Sequence, residues 1–261
     1  MKNSQTRFSF GANWQSFVNN ALTPERINDA VDSLRSFFGT KDFEDQTFLD
    51  IGCGSGLFSL AARKLGAKVH SFDLDPLSVA CTIELKRRYF PEDEKWNIDQ
   101  GNVLQVDYLN SLGQFDIVYA WGVLHHTGSM WQALENVIPL VVENGKLFVS
   151  IYNDQDKASH RWAVVKKYYN QSSKLTKLLM TLFFMGYFGI PKVLLRFKKD
   201  RGMSFWHDVV DWIGGYPFEV AKPEEIFDLY RRKGFLLMKL KTRGRRLGCN
   251  EYLFIKKGCK I

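Results

Sequence analysis

Apolar and polar positions follow two different rhythms along this chain. Over 23–38, TPERINDAVDSLRSFF, apolar residues recur at Ile27, Val31 and Leu34, the spacing of one helix face. Thr23 stands before them as a cap and Pro24 takes the first helical position. Over 47–51, TFLDI, they run together as in a buried strand, and a helix at 57–65 and a second strand at 67–73 follow. The same reading predicts a helix at 76–90, a third strand near 96–103 and a fourth at 115–122. A helix at 130–141, a turn and a fifth strand at 144–152 come next. After residue 221, KPEEIFDLYRRKG (222–234) reads as a capped helix ending at glycine. FLLMKLKTR and NEYLFIKKG then read as two closing strands.

Strands alternating with helices predict an α/β, Rossmann-like fold: a seven-stranded, mostly parallel sheet with helices on both faces. An N-terminal helical segment precedes it and an insert follows strand five. The expected division is a cover at 1–44, a nucleotide-binding core at 45–155, an insert at 156–221 and closing elements at 222–261. A chain of 261 residues is long enough to bury such a core.

Charge changes this picture in one place. The net charge is +8, but Lys157 to Arg201 holds eleven Lys and Arg against the single acid Asp200, and the remainder is near neutral. That distribution excludes a uniformly basic nucleic-acid binder and leaves a basic module on a neutral core. The four cysteines form no CxxC pair and the N-terminus has no apolar run behind its charges. Reduced thiols, a cytoplasmic location and no signal peptide are expected. Asn153, Asp154, His207 and Asp208 could be drawn together as oxygen-rich metal ligands, but their spacing is not diagnostic and no metal is expected.

The chemistry concentrates in the first turn, Asp50-Ile-Gly52-Cys53-Gly54-Ser-Gly56. A dinucleotide fingerprint would need its third glycine at position 57, which is Leu57; the spacing here is GxGxG. An acid before the turn repels a pyrophosphate and attracts a cationic amine. Asp73, at the end of the second strand, suits the two hydroxyls of a ribose.

With DIGCGSG at 50–56, FDLD at 72–75, GNV at 101–103 and FDIVYAWGVLHH at 115–126, the chain resembles class I S-adenosylmethionine (SAM)-dependent methyltransferases. The resemblance covers roughly 45–155 and 220–257, so the core at 45–155 becomes a SAM-binding one. The LHH, HDVVDW, KPEEI and GCNEYLF segments look most like ubiquinone-biosynthesis O-methyltransferases. The resemblance implies that Asp50, Gly52, Gly54 and Gly56 cradle the methionine end. Asp73 would hold the ribose, Asn102 would read the adenine and Trp121 would lie against the cofactor, with Cys53, Leu74 and Val103 also expected to bind it.

The Pro-Pro-Tyr or Phe signature of amide and adenine methylation and the Pro-Cys nucleophile of pyrimidine methylation are absent, which points to a hydroxyl acceptor. His126 is the first choice of base, with His125 and His207 behind it. The aromatic segment 201–221, with Tyr216, is expected to be either a lid on the acceptor pocket or an aromatic mini-core. Arg243, Arg245 and Arg246 would either hold an anionic acceptor group or form a solvated tip. Phe10, Asn13 and Trp14 would cover the cofactor or pack outside the sheet.

The expected function is O-methylation of a small or lipid-linked molecule. The alternatives are an RNA-modifying methyltransferase gripping phosphates with its basic insert, and a non-catalytic interaction protein. The uncharged stretch LLMTLFFMGYFGIP (178–191) between basic flanks is too short to span a bilayer, and Pro191 is expected to interrupt it. It reads as a lid, a homodimer contact or a peripheral membrane patch at 178–197, and nucleic acid is the less favoured partner.

Overall fold

The computed structural model describes residues 8–195 and 205–258. Two helices open the chain, α1 (Phe10–Asn20) and α2 (Pro24–Phe38). The Thr23 hydroxyl accepts from the Arg26 N–H, and Gly39 ends α2 in a left-handed conformation, φ 65°. Caps of this kind contribute about 1 kcal/mol. The core follows in alternation: β1 (Thr47–Ile51), α3 (Leu57–Lys64), β2 (Lys68–Asp73), α4 (Pro76–Tyr89), β3 (Trp96–Gln100), α5 (Val106–Leu112) and β4 (Phe115–Trp121). Next come α6 (Met130–Asn136) and β5 (Val141–Tyr152), then the insert helices α7 (Lys157–Gln171), α8 (Lys174–Leu195) and α9 (Phe205–Gly214). The chain closes with α10 (Pro223–Arg232), β6 (Phe235–Lys241) and β7 (Cys249–Lys256).

The seven strands form one sheet in the order β3-β2-β1-β4-β5-β7-β6. All are parallel except β7, which runs antiparallel to both neighbours. Side chains alternate across it, so adjacent residues feed different cores. Leu49, Val118, Leu147 and Phe254 pack with Leu109, Leu134 and Tyr230 on one face. Phe48, Ile117, Phe148 and Leu253 pack on the other with Phe17, Leu34 and Leu60.

Four boundaries differ from the sequence reading. The third strand stops at Gln100, and a short helix, α5, that the pattern did not flag follows it. The helix expected at 130–141 ends at Asn136, because Pro139 cannot donate within a continuing helix and sits instead in a 3-10 turn, Ile138–Leu140. The fifth strand begins earlier, at Val141. Helix α8 continues past Pro191, whose fixed φ is helix-compatible and costs the helix one backbone hydrogen bond.

Candidate functional site

In a sheet of this kind the crevice lies beyond the carboxyl ends of the strands, near the point where strand order reverses. A cavity of about 780 Å³ opens there. Its floor comes from the ends of β1 (Asp50, Ile51), β2 (Asp73), β4 (Trp121) and β5 (Tyr152), and from Asn102 and Val103 after β3.

The β1–α3 turn explains its glycines separately. Gly54 has φ 56°, and a Cβ there would lie 2.9 Å from Nε1 of Trp14, so this glycine lets α1 close over the turn. Gly56 has φ 79°, and its Cβ would lie 2.8 Å from the Thr82 Cα, so it serves the packing of α3 against α4. Gly52, Cys53 and Gly54 line the cavity. Gly56 lies outside its lining.

The two acids have different settings. Asp73 is tied down by backbone: its Oδ2 accepts from the Gly54 N–H at 3.0 Å and its Oδ1 from the Asp75 N–H at 2.9 Å. Asp50 is buried and accepts from the Ser59 hydroxyl at 2.5 Å, which in turn receives a hydrogen bond from Ser71. Burial pushes the Asp50 carboxyl up to about 7; the Ser59 hydrogen bond opposes this and the Asp73 charge adds to it. Burial is the larger effect here because desolvation disfavours the charged form of a carboxyl in a low-dielectric site. A positive charge placed beside the two acids would favour the ionised form of Asp50.

Leu74, Asn102, Val103 and Trp121 line the same half of the cavity. The Asn102 carbonyl accepts from the Leu104 N–H at 2.9 Å, so the side chain is fixed by its own turn. Trp121 stacks on Phe58, with 6.5 Å between ring centroids. Above them, the N-terminal segment crosses the opening: Phe8, Phe10 and Trp14 line the cavity, the Gly11 N–H donates to Asp75 Oδ2 and the Phe8 N–H to the Tyr216 carbonyl. Asn13 is buried beside α9, donating to the His207 carbonyl.

The other half lies over β5 and β7. His126 lines it, and its Nδ1 stands 2.6 Å from the Pro217 carbonyl oxygen. That oxygen can only accept, so Nδ1 carries a proton, and in the neutral ring Nε2 is the basic nitrogen. His125 faces away from the cavity, fully buried with its ring 4.1 Å from that of Tyr152. Burial, with His126 and Lys166 nearby, holds its imidazole far below the usual range, and it stays neutral. His207 packs edge-on to Phe17, also outside the lining.

The described part of segment 201–221 begins with the helix α9, from which Asp208, Val209, Asp211 and Trp212 line the cavity. Tyr216 does not reach the cavity and meets the N-terminal segment through its carbonyl. Arg243 lines the cavity while Arg245 and Arg246 do not. Their loop is pinned from below: Asn153 donates to the carbonyls of Gly244 and Arg246, and Asn250 donates to Asn153 and accepts from the Arg243 N–H. Asn153 is thus committed to loop anchoring. Among the described residues no three His, Cys, Asp or Glu side chains converge as a metal site.

Sequence reasoning missed Ser59, Asp75, Tyr152 and Lys166. Asp75 was legible as the cap of α4, the residue before Pro76, but its second role as anchor for Gly11 joins positions 64 residues apart.

Residues 24–179 match the methyltransferase domain family. Ubiquinone biosynthesis O-methyltransferase of Glaesserella parasuis serovar 5 is 31% identical over 144 residues, 52% of this chain and 56% of that protein. tRNA U34 carboxymethyltransferase of Enterobacter sp. is 32% identical over 108 residues, 41% of this chain and 32% of that protein. The chain therefore spans about a third to about half of the length of these curated relatives. Among solved structures, magnesium protoporphyrin IX methyltransferase from Synechocystis PCC 6803, with bound S-adenosylhomocysteine (SAH), superimposes with a TM-score of 0.57 at 14% identity, covering 94% of each chain. The N-methyltransferase NodS from Bradyrhizobium japonicum WM9, in complex with SAH, gives 0.55 at 12% identity, covering 95% of this chain and 99% of that one. These neighbours share the fold. The two acids at the strand ends and the cavity's size fit SAM. With its sheet order and this cradle, the chain belongs to the methyltransferase domain family, as a class I, SAM-dependent member.

Proposed function

We propose that this chain transfers the methyl group of SAM to a hydroxyl of a small or lipid-linked acceptor. The observation that carries this reading is His126, held in one tautomer by the Pro217 carbonyl at the wall of the cavity whose other half is the acid-and-glycine cradle. When bound, the cofactor supplies an electrophilic methyl group on a positively charged sulfur. Asp50 offers its charge to the cofactor's ammonium group, and Asp73 accepts from its ribose hydroxyls. Trp14 and Phe10 exclude water from above. His126 takes the acceptor's hydroxyl proton at Nε2. The likeness to a ubiquinone-pathway O-methyltransferase supports the hydroxyl; the likeness to tRNA-modifying enzymes makes RNA the alternative to test. Formation of SAH from SAM is to be followed with phenolic acceptors and, in parallel, with unmodified tRNA. Turnover on tRNA alone, or on neither, overturns the proposal.

The insert supports a peripheral membrane contact. On α8, Leu175, Leu179, Phe183 and Tyr187 recur every four residues and are 58–67% exposed, and Val164 and Tyr168 of α7 are exposed as well. Lys174 precedes this stripe and Lys177 lies within its first turn; Arg196, Lys198 and Lys199 lie outside the described residues. No helix among the described residues is long and apolar enough to cross a membrane, so the stripe would lie on the surface. Co-sedimentation with anionic vesicles at low salt, lost when Phe183 and Phe184 become Ser, is the expected result. Protein left in the supernatant refutes it and returns the stripe to a lid or homodimer contact.

A further inference from the structure

The acceptor half of the cavity holds groups that the reading above does not use. Asp208 and Asp211 stand one turn apart on α9 and both line the cavity. Asp211 is partly exposed as a residue, yet its Oδ1 is wholly buried with no hydrogen-bonding partner among the described residues. Nε1 of Trp212, the next cavity-lining residue, is in the same condition. Behind α9, Lys166 of α7 is fully buried. Its ammonium donates to the Trp212 carbonyl and stands 5.3, 4.6 and 4.7 Å from the ring centroids of Tyr152, Trp212 and Phe218.

A buried acceptor and a buried donor without partners are costly features, and side by side on a cavity wall they are placed to be met by a ligand. A lysine enclosed by three rings is costly as well unless its charge serves another group. Here that group is Asp211. Burial raises the Asp211 carboxyl and lowers the Lys166 amine, and the charge of each opposes the shift of the other. The remaining groups around them are Asp208 on α9, Tyr152 on β5, Cys249 at the start of β7, His126 after β4 and Arg243 across the cavity. Asp208 adds to the rise of Asp211. Phe8, Phe10, Tyr152 and Trp212 make the rest of this half apolar.

We propose that Asp211 grips the methyl acceptor, its Oδ1 receiving a hydrogen bond from an O–H or N–H group of an otherwise apolar molecule. Lys166 is the positioning residue that sustains the carboxylate's charge from behind. This rests on the methyl-transfer reading of the cavity and narrows it: the acceptor turns a donor group, neutral or cationic, toward α9, and an anionic group is rejected there.

The test uses three probes with one skeleton, 2-phenylethanol, 2-phenylethylamine and phenylacetate, titrated by calorimetry into the full-length protein. SAH is titrated first and then held at saturation. Binding of the alcohol or the amine at least tenfold tighter than phenylacetate supports the proposal, and which of the two wins identifies the donor as neutral or cationic. Asp211→Asn should abolish the discrimination while leaving SAH affinity within twofold. Lys166→Met should raise the pH midpoint of amine binding by at least one unit. The neutral double variant Lys166→Met/Asp211→Asn removes both buried charges together and should retain SAH binding without discrimination. Phenylacetate binding as tightly as the others, no probe binding, or discrimination surviving in Asp211→Asn overturns the proposal. Failure of SAH to bind the unaltered protein instead overturns the cofactor reading, and the probe comparison is then read without it.

Discussion

Cofactor affinity should depend on pH through Asp50, in a way its environment dictates. The carboxyl sits at about 7 because it is buried, with Asp73 beside it and the Ser59 hydroxyl opposing. A cationic ammonium binds the ionised form, so binding must remove the proton. One pH unit below the carboxyl's pKa, only about a tenth of the protein carries the charge, and affinity falls about tenfold, or about 1.4 kcal/mol. The SAH dissociation constant should therefore rise about tenfold per pH unit below about 7 and flatten above it. Near pH 8 the cofactor's own amine begins to lose its proton, giving a shallow optimum. Calorimetry from pH 5.5 to 8.5 in buffers of different ionisation enthalpy would count about one proton released at pH 6. Asp50→Asn should weaken binding at pH 8 and erase the slope. A flat profile in the unaltered protein, or the same slope in Asp50→Asn, would refute the reasoning. The sign reverses for stability of the protein alone. The raised carboxyl contributes stability that is full below its unfolded value and lost as pH rises through about 7, so melting temperature should fall over that window.

Three further outcomes follow from the same geometry. Asp73→Ala removes the charged acceptor that the Gly54 and Asp75 N–H groups hold in place, and should weaken SAH binding by about 1.5–3 kcal/mol in a titration. His126→Ala should lower kcat about 10²–10⁴-fold with SAH affinity nearly unchanged, whereas His125→Ala should act on melting temperature, since that ring lies off the cavity. Gly56→Ala places a Cβ 2.8 Å from the α4 backbone at φ 79°; it should cost about 1–3 kcal/mol in chemical denaturation, and a loss below 0.5 kcal/mol would discount the close packing.

Much of the core, and the gathering of the turn and its two acids at one cavity, was legible because the signals are local. Strand, glycine turn, helix and acid occupy one continuous stretch, 47–76, and each residue's place there follows from its neighbours. The acceptor half was not, because its wall is assembled from distant segments. His125 and His126 are adjacent and identical in type, and only the 3-10 turn Leu124–His126 decides which ring meets the cavity. His207 stood third among the candidates, and only the placement of α9 shows its ring packed on Phe17. Lys166 looked like one more charge in a basic insert, yet it is fully buried. Its hydrogen-bond acceptor, the Trp212 carbonyl, is 46 residues away along the chain, beyond the reach of periodicity.

The N-terminal segment hydrogen-bonds to both sides of the cavity at once, through Gly11 to Asp75 and through Phe8 to Tyr216. It is a strut spanning both binding halves. A ligand that steadies the strut from below the cofactor half lowers the entropy that the acceptor half must surrender when it fills, and the converse holds by reciprocity. Two sites bridged by one segment would thereby acquire a coupling free energy. The expected outcome is that each ligand binds more tightly once the other is in place, whichever arrives first, and titrating the two in opposite orders reads that difference.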